Sequence, residues 1–182
     1  MNRLAPSNAP AHPSGGRELI GGDLRSRSTE ETLSLGRRLG VNAEPATLLA
    51  LSGPLGAGKT VLAKGIAEGL GVTSVVNSPT FVLMNEHVGR LRLFHVDAYR
   101  LDDPEEALAA GLLDERETAG VTVIEWADRL EGWLPPDRLE ITIEPIATDS
   151  DERRLHWIAT DPQHARLGAL LADQPGAGEP DR

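Results

Sequence analysis

At 182 residues and 40% hydrophobic content, the chain has the size of one domain with its own core, although aromatic residues are sparse at 3%. A formal net charge of −10 excludes holding nucleic acid unaided, because a phosphate backbone calls for a basic stripe; any action on nucleic acid would run through a partner. The lack of cysteine excludes disulfides and thiolate metal sites, and no apolar run has signal-peptide or membrane-spanning length, so a soluble cytoplasmic protein without membrane association is expected.

Residues 1–22, rich in Pro, Ala, Ser, Asn and Gly without apolar periodicity, read as a disordered leader. Residues 23–172 form the expected domain, and 173–182 a disordered tail. Ser28-Thr29-Glu30-Glu31 has capping-box spacing, and Leu33, Leu35 and Leu39 behind it predict a helix over 29–39 that stops at Gly40. A turn over 42–45 leads into a strand over 47–51. After the glycines of 53–58, Val61, Leu62, Ile66 and Leu70 keep helical spacing, closed by Gly71. Ser74-Val75-Val76 is a short strand candidate, followed by a polar loop in which Pro79 biases Ser78 towards extended backbone. The runs 81–84 and 91–96 predict a hairpin with its turn over 85–89.

Pro104 opens a predicted helix, and 112–118 a second short one. Val121-Thr122-Val123-Ile124, apolar without interruption, predicts a strand buried on both faces. The alternating runs 139–144 and 155–158 flank a turn-like 148–151 and predict an antiparallel hairpin at a sheet edge. A last helix is expected over 163–171. The order of elements predicts a P-loop NTPase-like α/β domain, three layers (α/β/α) around a mixed, partly parallel sheet.

The chemistry centres on Gly53-Pro54-Leu55-Gly56-Ala57-Gly58-Lys59-Thr60, which fits G-x-x-x-x-G-K-[ST] without mismatch between a strand and a helix. Glycines let successive N–H groups turn towards an anion at the positive end of a helix dipole. The expected nucleotide contacts are Leu55, Gly56, Ala57, Gly58, Lys59, Thr60 and Val61. Lys59 is expected on the β- and γ-phosphates, and the Thr60 hydroxyl on Mg²⁺. Composition sharpens this reading. The chain has two lysines, Lys59 and Lys64, against sixteen arginines, and one of the two stands where a planar guanidinium cannot replace a compact ammonium.

Such a loop needs a further acidic group for metal and water. Glu125, at the C-terminal end of the most buried-looking strand, is the first candidate. Asp97, at the end of an apolar strand, is the second, with turn capping as its plainer role. Ser78 and Thr80 place two hydroxyls on a rigid loop, as a γ-phosphate-sensing switch would. His95 reads as a structural histidine in a paired hydrogen bond, Trp126 as packing, and Arg100, Arg153 and Arg154 as solvated.

Taken together, Gly53–Thr60, Ser78–Phe81, His95–Leu101 and Ile124–Trp126 stand in the order and near the spacing of the TsaE family of bacterial ATPases, formerly YjeE, which this chain resembles from about Thr29 to Ile158. The family pattern is Gly-x-Leu-Gly-Ala-Gly-Lys-Thr, Ser-Pro-Thr-aromatic, His-x-Asp-x-Tyr-Arg-Leu and Ile-Glu-Trp. The resemblance implies an ATPase needed for threonylcarbamoyladenosine formation beside the tRNA anticodon. It would work with TsaD and TsaB, meet tRNA only through that complex, and not itself transfer the group. It also implies Lys59 as phosphate lysine, Thr60 and Glu125 at Mg²⁺, Asp97 as second catalytic acid, and Thr29 near the base of ATP. The chain departs from the pattern at Pro54, where the family has an acidic residue, and at Val61, often Thr.

Three rivals share the loop. A small-molecule or nucleoside kinase calls for an acceptor pocket and usually an Arg-rich lid, and no such arginine cluster is present. A GTPase calls for Asn-Lys-x-Asp and for Asp-x-x-Gly after a strand, both missing. A vestigial binding module would not be expected to keep Lys59, Thr60 and Glu125 together.

Overall fold

The two runs with least polar interruption lie side by side at the centre of the sheet. In the computed structural model, which describes residues 19–76, 84–101, 119–130, 132–147 and 150–172, β2 (Thr47–Ser52) pairs in parallel with β5 (Val121–Glu125). Leu49, Leu51, Val121 and Val123 face one side, while Leu48, Ala50 and Ile124 face the other. Burial on both faces is what such runs require.

Around this pair stand β1 (Ile20–Ser26), β3 (Met84–His87), β4 (Leu93–Asp97), β6 (Leu139–Pro145) and β7 (Arg153–Ala159). The strand order is β1-β7-β6-β2-β5-β4-β3. The four middle strands β6, β2, β5 and β4 are parallel, and antiparallel partners flank them on both sides. The expected α/β fold with a mixed sheet is therefore present. Helices α1 (Thr29–Asn42), α2 (Lys59–Gly69) and α3 (Pro162–Ala172) share one core with one sheet face through Leu35, Leu39, Leu62, Ile66, Leu167 and Leu171. On the other face, the described cover is the 3-10 turn Ala127–Leu130 together with Leu101 and Leu134. The helices expected at Pro104 and over 112–118 lie outside the described residues, as do Ser78 and Thr80. Among the described residues, no helix is long and apolar enough to cross a membrane.

Several boundaries differ from those expected. β1 begins at Ile20, inside the stretch assigned to the leader. Backbone pairing with β7 supplies its ladder, and its glycines have a packing reason, since a Cβ at Gly22 would stand 3.0 Å from Trp157 Nε1. β1 also takes the edge, so the β6–β7 hairpin is interior. Residues 74–76 are not a strand. β3 runs through 84–87, most of the expected turn, and Met84 pairs with Val96 and His87 with Leu93.

Helix α1 continues past Gly40 to Asn42, because Gly40 serves helix contact and not termination. A Cβ there would strike the Ile66 carbonyl of α2. Gly36, Gly65 and Gly69 are confined in the same way. Gly71, by contrast, does end α2: with φ 73° its N–H reaches Glu68 O at 3.0 Å, and Val72 N–H reaches Ala67 O at 3.0 Å, a Schellman pair.

The capping box is present in modified form. Ser28 Oγ accepts from Glu31 N–H at 3.1 Å, while Glu31 Oε2 accepts from Arg27 N–H at 2.6 Å, one residue before the usual partner. Ser28→Ala is expected to lower stability by about 1 kcal/mol and Tm by roughly 2–4 °C in thermal denaturation.

Candidate active site

The last residue of β2 passes directly into the glycine loop. Gly53, Gly56 and Gly58 have φ of 131°, 77° and 109°, a region that disfavours any side chain. Ala57 N–H donates to Pro54 O at 3.2 Å. Gly58 caps α2 without any side-chain hydrogen bond, so among the described residues the first-turn N–H groups of α2 remain available to an anion.

Two neighbours brace the loop from the side of the β6–β7 hairpin. A Cβ at Gly53 would collide with Ile143 O of β6. From β7, Arg153 donates Nε–H to Ala57 O at 2.8 Å, and its Nη1 donates to Ser150 O at 2.6 Å and Glu152 O at 3.0 Å. Arg153, read from the sequence as solvated, is thus a structural tie to the loop.

Lys59 is buried. Its Nζ donates to Gly53 O at 2.6 Å and Pro54 O at 2.9 Å, and sits 3.5 Å from the centroid of the Trp126 ring. Burial pushes its pKa down, opposed by the charges of Glu125, Asp128 and Asp97. A buried ammonium whose hydrogen bonds go to neutral loop carbonyls, beside an aromatic face, is a site that favours an arriving anion.

The carboxylates converge from neighbouring strands, because β4 and β5 pair Asp97 with Glu125. Thr60 Oγ1 donates to Glu125 Oε2 at 2.7 Å, and His95 Nε2 lies 2.9 Å from Glu125 Oε1. Asp97 Oδ1 accepts the Tyr99 N–H at 2.9 Å, the expected turn cap, while its side chain still borders the cleft. Leu55 to Thr60, Val61, Asp97, Tyr99, Glu125 and Trp126 enclose about 380 Å³.

Of the expected residues, Leu55, Gly56, Ala57, Gly58, Lys59, Thr60, Val61, Asp97 and Glu125 are thus brought together. Thr29 is exposed on the first turn of α1 and does not line the cleft. The start of α1 reaches the loop through Thr32 instead, whose Cγ2 would lie 4.0 Å from a Cβ at Gly58. Arg154 is exposed opposite Glu144. Sequence reasoning missed the placement of Trp126 and Tyr99, whose rings stand 4.8 Å apart beside Lys59. Trp126 adopts φ 60° with its ring against Lys59, and no sequence pattern announces that.

The donor set suits a hard, small cation. No three His, Asp or Glu side chains gather around one point among the described residues. An ion here would take the Thr60 hydroxyl, a carboxylate and oxygens of its substrate, which is the habit of Mg²⁺.

A glycine loop between the first parallel strand and a helix, inside a mixed seven-stranded sheet, defines an α/β protein of the P-loop class. Residues 26–155 match the family described as "Threonylcarbamoyl adenosine biosynthesis protein TsaE". The chain belongs to the TsaE family. Relatives described as tRNA threonylcarbamoyladenosine biosynthesis protein TsaE include that of Bacillus subtilis, 41% identical over 144 residues, covering 79% of this chain and 89% of the relative. The Treponema pallidum protein is 38% identical over 127 residues, 70% of this chain and 94% of its own. A crystal structure of YdiB from Bacillus subtilis superposes with TM-score 0.70 at 33% identity, covering 86% of this chain and 97% of that one.

Proposed function

We propose that this protein is a cytoplasmic, Mg²⁺-dependent ATPase required for forming threonylcarbamoyladenosine beside the tRNA anticodon. It hydrolyses ATP to ADP and phosphate, acts with proteins of the TsaD and TsaB type, and does not itself transfer the modifying group. Its hydrolysis is slow until those partners engage it. The observation that carries this reading is the Thr60–Glu125 hydrogen bond at the foot of the glycine loop, with Lys59 beside it. The net charge of −10 supports reaching tRNA through the partners and not directly.

In this reading the loop N–H groups and Lys59 bind the phosphates, and Thr60 with Glu125 would hold Mg²⁺. Bound there, the ion would offset charge on the phosphate oxygens. Glu125 has one oxygen on Thr60, so it orients the hydroxyl lone pair towards the cleft. Asp97, beside it and facing the same space, is the second acid, placed to orient water.

Glu125→Gln tests the assignment. The amide keeps the shape, but it removes the negative charge and one of the two acceptor oxygens, so the oxygen on Thr60 and that on His95 cannot both be kept as acceptors. ATP affinity is expected to stay within a few-fold, while phosphate release falls by about 100-fold or more. Normal turnover in this variant would move the role to Asp97. Release of bare phosphate, with no phosphorylated acceptor formed, separates the ATPase from a kinase.

A further inference from the structure

We propose that His95 is a positioning residue of this site, holding Glu125 in the orientation that engages Thr60; the proposal rests on the ATPase reading above. Three observations support it. First, His95 and Glu125 side chains are 0% and 2% exposed, and Glu125 Oε1 and Oε2 are taken by His95 and Thr60 respectively. A carboxylate accepts only, so Nε2 carries the hydrogen. The terminal torsion of a glutamate is broad, and two donors on opposite oxygens fix its plane.

Second, the opposite nitrogen of the ring, His95 Nδ1, is buried with no hydrogen-bond partner among the described residues. A buried nitrogen without a partner is a cost that packing alone does not repay. Third, the pair lies where an apolar pair of similar volume would be as stable or more so, since both polar groups are taken out of water. Register places His95 one side-chain step behind Asp97 on β4, against Val123 of β5. From there Nε2 points along the sheet to the carboxylate, and the ring itself does not border the cleft.

The test compares His95→Gln, His95→Asn and His95→Ala. The Gln side-chain nitrogen falls near the place of Nε2, and that of Asn near Nδ1. His95→Ala and His95→Asn are expected to lower kcat for ATP hydrolysis about 10- to 100-fold with KM changed less than about threefold, and His95→Gln to recover to within about fivefold of the parent chain. A readout independent of turnover is nitrogen-15 NMR of the imidazoles in the protein without nucleotide. His95 is expected as the Nε2–H tautomer, with that proton protected from exchange and losing protection in Glu125→Ala. Equal losses of kcat in His95→Gln and His95→Asn at equal Tm, parental kcat in His95→Ala, or an Nδ1–H tautomer would each overturn the proposal. If the parent chain hydrolyses no ATP even with its partners, the ATPase reading fails, while the tautomer and its dependence on Glu125 still decide the positioning role.

Discussion

Replacing Lys59 by alanine is expected to weaken ATP binding by at least about 100-fold while moving Tm by less than about 5 °C. The two effects separate because, in the proposed reading, the ammonium serves an anion more than the fold. Without nucleotide, Nζ is answered by two loop carbonyls, at 2.6 and 2.9 Å, and by the face of Trp126. Those contacts offset a burial that by itself disfavours the charge. Removing the group loses the contacts and relieves the burial, and the two nearly cancel. Against a polyphosphate the same removal deletes a charged donor worth about 3 kcal/mol, which corresponds to a factor of more than 100 in Kd.

Calorimetric titration with ATP and a thermal melt read the two quantities. An unchanged affinity would remove the glycine loop from the site. The pH dependence has a definite sign. Because burial lowers the folded-state pKa of Lys59 below the ordinary lysine value of 10.5, the unfolded chain binds more protons between the folded and unfolded values. The contribution of this group to stability therefore rises with pH across that alkaline window, and is lost as pH falls through the folded pKa. Lys59→Ala is expected to abolish that rise.

Gly65→Ala is expected to destabilise the protein by roughly 2–3 kcal/mol and to lower Tm by about 5–10 °C, against its local preference. In an isolated helix the same change would stabilise by about 1 kcal/mol. The sign reverses because Gly65 lies against the backbone of α1. An added Cβ would stand 2.9 Å from Gly36 Cα and 3.1 Å from Arg37 N, and closer still to Leu33 O. The atoms met are all main chain of α1, so no side chain can turn aside. Gly36, Gly40 and Gly69 complete a two-sided seam in which glycines of α1 oppose glycines of α2. Since α2 begins at Lys59, spreading this seam would also disturb the loop. Lower ATP affinity is expected to accompany the lower Tm. A Gly65→Ala variant more stable than the parent would show that the helices separate without penalty.

Much of the site was legible in the sequence. The order strand, glycine loop, lysine, hydroxyl and helix is local. Its geometry follows from positive φ at glycine and from free N–H groups at a helix start, so eight adjacent residues were enough to locate it. Glu125 and Asp97 were legible for a related reason: in a parallel sheet, acidic residues at the C-terminal ends of adjacent strands come to the same edge. That His95 would be hydrogen-bonded was legible too, but its partner was not. Trp126 and Arg153 were read as packing and as solvated, and both touch the loop.

What those misses share is dependence on atoms distant in sequence. Arg153 meets Ala57 only because β7 joins β6, and β6 joins β2. Ile20 to Gly22 read as leader because two glycines erase side-chain alternation, whereas the ladder with β7 holds them through the backbone alone. Gly40 read as a helix stop because glycine near a helix end often is one. Here it marks the closest approach of a second helix.

By itself the sequence determined where the glycine loop falls, that Asp97 and Glu125 end strands, and the α/β order of elements, because each depends on neighbouring residues and on the fixed periods of helix and strand. Only the tertiary structure decided which groups hold that loop in shape, where the sheet ends, and which face of α1 meets α2. Those depend on contacts between segments far apart along the chain, and such contacts leave no periodic trace in it.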